Sequence, residues 1–189
     1  MHIIRSEKYK VMPWKNGGGS TTEIYVCPEG VSEFDWRVSI AAVNEDGPFS
    51  TFIGYERHIM TLAGEGMRLE VEGRGRFDLK PFRPFSFSGD IRVSGSLLNG
   101  PVHDFNLMVR RDFGRGTLSV LDCSAGHRLG SGQSLHLVHV LKGECVIGKD
   151  QLHPKDSFYL AAGEYAFLSS ALKLTVCEIT PHGQPWPIA

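Results

Sequence analysis

Short stretches of alternating apolar and polar residues, broken every several positions by glycine or proline, run through most of this chain. Glu23 to Cys27 alternates and closes on Pro28, Glu29 and Gly30, the pattern of a strand followed by a turn. In Asp35 to Ala41, Trp36, Val38 and Ile40 fall on one face and Arg37, Ser39 and Ala41 on the other. From Arg57 the text RHIMTLAGEGMRLEVEGRGRFDLKPFRPFSFSGD is a series of short strands separated by Gly or Pro. Antiparallel strands need frequent reversals, and these residues supply the backbone angles, so the spacing predicts an all-β sandwich or barrel. Strands are predicted again over Ile91 to Leu98 and Asp104 to Arg111. In the latter, Phe105, Leu107 and Val109 share one face, while Asp104, Asn106, Met108 and Arg110 form an unusually polar opposite face. Gly116 to Cys123, Ser134 to Leu141, Cys145 to Ile147, Asp156 to Ala161 and Ala171 to Ile179 complete the set. The Pro-rich end, PHGQPWPIA, reads as an extended surface tail.

Two parts of this pattern repeat. HIMTLAGEGMRLEVEG at residues 58–73 and HLVHVLKGECVIGKD at residues 136–150 each give a hydrophobic strand, a Gly-Glu turn and a second strand. One such unit in each half is the mark of an internal duplication. The charged segment Arg111 to Arg115 is the candidate junction, dividing the chain into residues 1–112 and 113–189. Strand, Gly-Glu turn, strand resembles the cupin barrel, a small jelly roll, so the two copies look like a bicupin.

A formal net charge of -1 leaves no global basic field, which argues against nucleic acid or an anionic membrane as partner. No apolar run approaches about 18 residues, and Met1 to Lys10 lacks the apolar centre of a signal peptide, so a cytoplasmic location is expected. Cys27, Cys123, Cys145 and Cys177 form no C-x-x-C pair and are expected to pack as small hydrophobes. Many cupins bind a metal through H-x-H, a later glutamate and a distant histidine, and this chain departs from that pattern. His136 and His139 are three apart on a strand, which turns them to opposite faces. In the first half Arg57 and His58 stand where ligands would be expected, and arginine stays protonated. The expectation is therefore no metal and no cofactor.

The chemistry concentrates in PWKNGGGSTTEI, residues 13–24. Gly17, Gly18 and Gly19 let the main chain adopt positive φ and bring N–H groups close to a partner, with Lys15, Asn16, Ser20, Thr21 and Thr22 adding donors. A small anionic ligand is the simplest reading; a flexible surface turn is the bland one. If Arg57, Ile59 and Thr61 share a face, a guanidinium stands at the mouth or inside of the first barrel, with paired donors suited to a carboxylate. Trp14 or Trp36 would be the apolar wall, and Asp104 and Asn106 would read donors on the ligand. The alternative pairs Arg57 with Glu56 on a solvated face. No nucleophile elbow or acid pair stands out; an enzyme would have to draw its acid or base from Asp104, Glu23 or His58.

PWKNGGGSTTEI (13–24), FDWRVSIAAVNEDGPFS (34–50), the G-x-x-R from Gly54 to Arg57, LAGEGMRL (62–69), FSGD (87–90) and GPVHDFNLMVRR (100–111) together resemble the HutD family, accessory proteins of bacterial histidine utilisation, and the related Ves. The resemblance is specific over residues 13–111 and looser beyond. It implies a bicupin without a metal centre, a regulatory or protective role in histidine catabolism, and a pocket in the first barrel for a small carboxylate such as formate, formylglutamate or urocanate. Carried onto this chain, the ligand-binding residues are Trp14, Lys15, Asn16, Gly17, Gly18, Gly19, Thr21, Trp36, Arg37, Arg57, Asp104, Asn106 and Met108. For Arg37 and Met108 a packing role competes with contact. A metal-independent enzyme acting on a histidine-breakdown intermediate is the alternative. Another is a partner of a pathway regulator, docking through a β edge or the Trp186 tail. A homodimer is the default assembly.

Overall fold

Period-2 alternation needs a sheet with one face buried, and the chain meets that need twice. The computed structural model describes residues 1–183 and divides into two compact units: Lys10–Phe113, and Met1–Tyr9 together with the chain from Gly114 onward. Among the described residues there is no α-helix, only a 3₁₀ turn at Ser6–Lys8.

The Lys10–Phe113 unit pairs a six-stranded sheet with a four-stranded one. The larger sheet runs in the order Lys10–Pro13, Gly19–Cys27, Trp36–Val43, Val102–Arg110, Tyr55–Ala63, Phe85–Ser88. The smaller runs Gly47–Pro48, Val93–Leu97, Met67–Val71, Gly75–Leu79, and all the pairings within both sheets are antiparallel. Val43, Ile59, Phe87 and Val102 from the first sheet pack with Met67, Leu69, Val71, Leu79 and Val93 from the second into one core. Burying side chains of this size contributes roughly 1.5–3 kcal/mol each, which is what holds the two sheets face to face.

In the other unit a five-stranded sheet has the order His2–Ile4, Ser157–Leu160, Leu135–Lys142, Leu172–Pro181, Gly114–Cys123, with two small ribbons, Arg128–Leu129 with Ala166–Phe167 and Cys145–Ile147 with Asp150–Leu152. Val138, Val140, Phe158, Leu160, Leu174 and Val176 meet Leu129, Ile147, Leu152 and Leu168 in an apolar core. Each unit is a cupin-like barrel, so the fold is an all-β bicupin.

The repeated Gly-Glu turns occupy matching positions. Gly64 has φ +92° and Gly143 φ +91°, and a Cβ on either would press on a neighbouring carbonyl, 2.5 Å from Pro101 O or 2.8 Å from Ala171 O. Both turns thus require glycine twice over, for the left-handed angle and for the close approach.

The chain passes from one unit to the other after Phe113. Met1–Tyr9, however, belongs with the later residues: His2, Ile3 and Ile4 pair with Tyr159, Phe158 and Ser157. The chain's short opening strand carries no signal for which sheet it will join. The tail from residue 184, including Trp186, lies outside the described residues.

Candidate functional site

Strand register places the polar residues of the larger sheet in one patch. Met108 lies directly between Arg37 and Arg57, Asn106 between Ser39 and Ile59, and Asp104 between Ala41 and Thr61. All of these face inward, as alternation requires. On the neighbouring strand a bulge between Glu23 and Tyr25 changes the facing of the chain. Glu23 stays on the inner face, where its Oε2 accepts from Arg37 Nε at 2.8 Å, while Tyr25 stacks on Trp36 on the outer face with centroids 5.0 Å apart.

Above this patch is a cavity of about 450 Å³ lined by Trp14, Lys15, Asn16, Gly18, Thr21, Arg37, Arg57, Asn106 and Met108 among the residues expected from sequence. Its remaining wall includes Glu45, Asp46, Phe49, Ser50, Phe52, Met67 and Gly95, which the sequence reading did not single out. Most come from the segment 44–52, where side-chain direction follows no simple period. Gly47–Pro48 pairs with Ser94 and Gly95 of the opposing sheet, and this draws the segment across the cavity. The signal was available only in the composition of EDGPFS, two carboxylates and an aromatic inside a matched motif.

Arg57 is the deepest charged group of the cavity, with 6% of its surface exposed. Its guanidinium carbon lies 5.0–5.4 Å from the ring centres of Phe49, Phe52 and Phe87. Nη1 donates to Ser50 O at 3.0 Å and Nη2 reaches Asn106 Oδ1 at 3.4 Å, while Nε has no hydrogen-bond partner among the described residues. Burial pushes its pKa down to about 10, against the pull of Asp104 and with a smaller push from Arg37. The surface pairing with Glu56 is therefore not what the structure contains.

Asn106 is spent on both sides: Oδ1 faces Arg57 and Nδ2 donates to Asp104 Oδ1. Asp104 is fully buried behind it and does not line the cavity. Its Oδ2 has no partner among the described residues, and burial pushes the carboxyl up to about 7, partly offset by the Asn106 bond and by Arg57. Asp104 thus braces Asn106 and cannot read a ligand directly.

The triple glycine also differs from the expected cradle. Gly17 N–H donates to Trp14 O at 3.1 Å and Gly18 N–H to Asn16 Oδ1 at 3.2 Å, so both are committed to closing their own turn. Gly17 has φ +79°, and a Cβ on Gly19 would clash with Ala42 O and stand 2.9 Å from the Trp14 ring. Gly17 and Gly19 shape the hairpin that carries Trp14, whose Nε1 donates to Thr21 Oγ1 at 2.8 Å. Only Gly18 reaches the cavity. Trp36 does not, because its strand neighbour Arg37 does: consecutive strand residues face opposite ways.

Of the groups an enzyme would need, Glu23 is tied to Arg37, Asp104 is sealed, and His58 lies on the outer face against Ser86 Oγ at 2.7 Å, its pKa lowered by burial to about 4. Among the described residues no three His, Cys, Asp or Glu side chains are grouped to hold a metal ion, and no helix is long and apolar enough to cross a membrane. His136 and His139 have separate neighbours, Glu178 at 4.0 Å and Ser157 at 3.0 Å.

Fold and site together describe a bicupin with an arginine-floored, aromatic-walled pocket in one barrel. The chain belongs to the HutD family, associated with histidine utilisation: the HutD family model matches residues 6–181. It is similar to HutD from Pseudomonas fluorescens SBW25, solved in a formate condition, at 36% identity and a TM-score of 0.83 over 96% of this chain and 98% of that one. A conserved protein of unknown function from Pseudomonas aeruginosa PAO1 is similar at 34% identity and TM-score 0.81, covering 96% and 98%. An uncharacterized 21.2 kDa protein in the hutC 3' region of Pseudomonas putida is 50% identical over 109 residues, 57% of each chain, so the match spans little more than half of that relative. AerE from Microcystis aeruginosa, at 11% identity and TM-score 0.67 over 93% and 97%, shares the fold alone.

Proposed function

We propose that this protein is a non-enzymatic accessory or regulatory protein of histidine utilisation that binds a small carboxylate in the Lys10–Phe113 barrel. The observation that carries the reading is Arg57. A buried guanidinium is costly unless an anion balances it, and here its direct partners are two neutral oxygens, with Nε unpaired among the described residues. A carboxylate entering the cavity would supply the missing charge and two acceptors for the planar donor fork. Trp14, Phe49 and Phe52 would cover its carbon atoms.

The cavity volume also bears on ligand size. Its 450 Å³ lies within the range of roughly 300–1,000 Å³ usual for small-molecule pockets. Formate has three heavy atoms and would fill only the Arg57 end, whereas formylglutamate or urocanate would reach the rim formed by Lys15, Glu45 and Asp46. The Pseudomonas fluorescens relative was solved in a formate condition, which makes formate the first carboxylate to test.

The test is titration of purified protein with formate, formylglutamate and urocanate, followed by thermal unfolding and calorimetry. A ligand at 100 times its Kd should stabilise the native state by about 2.7 kcal/mol. The expected result is saturable binding by at least one of them, lost in Arg57→Ala. No shift with any of the three at millimolar concentration would refute the proposal.

A further inference from the structure

Behind the pocket the charges are stacked in a way that simple anion binding does not use. Arg57, Asn106 and Asp104 form a line, guanidinium to amide to carboxyl, with Asp104 at the closed end. Two polar atoms there are left over among the described residues. Asp104 Oδ2 is unpaired, and so is Oγ1 of Thr61, the residue directly opposite Asp104 in the ladder. The two residues are ladder partners, so their side chains leave neighbouring backbone positions on the same inward face, although the two atoms are not bonded to each other in the structure.

Resting on the carboxylate reading above, we propose that the pocket takes up its carboxylate together with one proton, which is held on Asp104. In the empty pocket Arg57 is the charge that favours ionised Asp104. A carboxylate bound to Arg57 cancels that field and adds a like charge on the far side of Asn106, and both effects favour the protonated acid. The O–H bond forms on Oδ2, the proton comes from solvent, and no other group changes.

Around Asp104 itself there are few rivals for the proton; the other titratable groups of the cavity wall, Lys15, Glu45 and Asp46, are exposed at its rim. On the strand of Asp104 the inward neighbours are Asn106 and Met108. On Tyr55–Ala63 the inward groups are Arg57, Ile59 and Thr61. On Trp36–Val43 they are Arg37, Ser39 and Ala41, with Arg37 already bonded to Glu23. The opposing sheet contributes Met67, Leu69, Val71 and Val93 to the core, all apolar. His58 belongs to the other face of its strand. Burial, against the opposing pull of the Asn106 bond and of Arg57, already brings the Asp104 carboxyl to about 7, so the linkage would act near neutral pH.

The experiment uses the full chain with formate and formylglutamate, whose carboxylates stay ionised above pH 6. Calorimetry at pH 8 in buffers of different ionisation enthalpy should report close to one proton taken up per ligand. Kd should be flat below about pH 6.5 and rise toward tenfold per pH unit above 7.5. Asp104→Asn should abolish both the uptake and the pH dependence. In the wild type, difference infrared spectra should show a carboxylic acid signal appearing on binding, which keeps the test independent of how the variant folds. Binding with no uptake and a flat profile would overturn this proposal and leave carboxylate binding standing. Uptake retained in Asp104→Asn would overturn it by placing the proton elsewhere. No binding at any pH would defeat the carboxylate reading itself, and this one with it.

Discussion

Replacing Arg57 by methionine separates a residue kept for binding from one kept for stability. The fall of the guanidinium pKa from its ordinary value to about 10 corresponds, at about 1.4 kcal/mol per pH unit, to about 3 kcal/mol against the charged form in the folded state. Methionine removes that cost and keeps an unbranched stem among Phe49, Phe52 and Phe87, with sulfur–ring contacts of about 0.3–1.5 kcal/mol. Against this, Ser50 O and Asn106 Oδ1 each lose a donor, at about 1–3 kcal/mol apiece. The opposing effects are of similar size, so Arg57→Met should unfold in urea within about 1 kcal/mol of the wild type. Formate binding, followed by calorimetry, should disappear. A loss of more than about 3 kcal/mol with binding intact would show that Arg57 is a structural residue and refute the reasoning.

Asp104→Asn should flatten the pH dependence of stability. The folded carboxyl is raised from 3.8 to about 7, so its stabilising share is complete below about pH 4 and is lost as pH rises to about 7. Between pH 5 and 8 the wild type should lose about 2–3 kcal/mol that the variant does not, read from urea midpoints. At the hairpin, Gly19→Ala should cost about 2–4 kcal/mol through its clash with Ala42 O, whereas Gly18→Ala, whose Cβ would meet nothing nearer than 3.6 Å, should cost about 1 or less by the same assay. Trp36→Phe should weaken the fold without changing ligand affinity, while Trp14→Phe, which also breaks the bond to Thr21, should weaken both.

What the sequence made legible follows the reach of local rules. Alternation in Asp104–Arg111 was enough to put Asn106 and Met108 on the same inward face, and the same rule in the strand from Arg57 turned its guanidinium toward the cavity. Applied strictly, alternation also forbids Trp36 and Arg37 from sharing a site, and the structure enforces that. The rule stops at depth: nothing in the spacing separates Asp104, sealed beneath Asn106, from Asn106 at the surface of the pocket. Glycines are ambiguous for a different reason. Gly17 and Gly19 satisfy a turn angle and a tight backbone approach, and a ligand cradle would have asked for the same residues. Phe49, Phe52, Glu45 and Asp46 were hidden because a loop's side chains are aimed by the sheet it crosses, through the pairing of Gly47 with Gly95.

The pairing of His2–Ile4 with Ser157–Leu160 gives the two barrels different histories on the ribosome. All the ladder partners of the Lys10–Phe113 barrel are present once Phe113 has been made, so it can close as a continuous piece of chain. The other barrel must hold its first strand in reserve for more than 150 residues until Tyr159 emerges to receive it, a contact of very high order that slows folding. The half that carries the Arg57 cavity is thereby the half that matures early, and the other is the one left exposed to misassembly during synthesis.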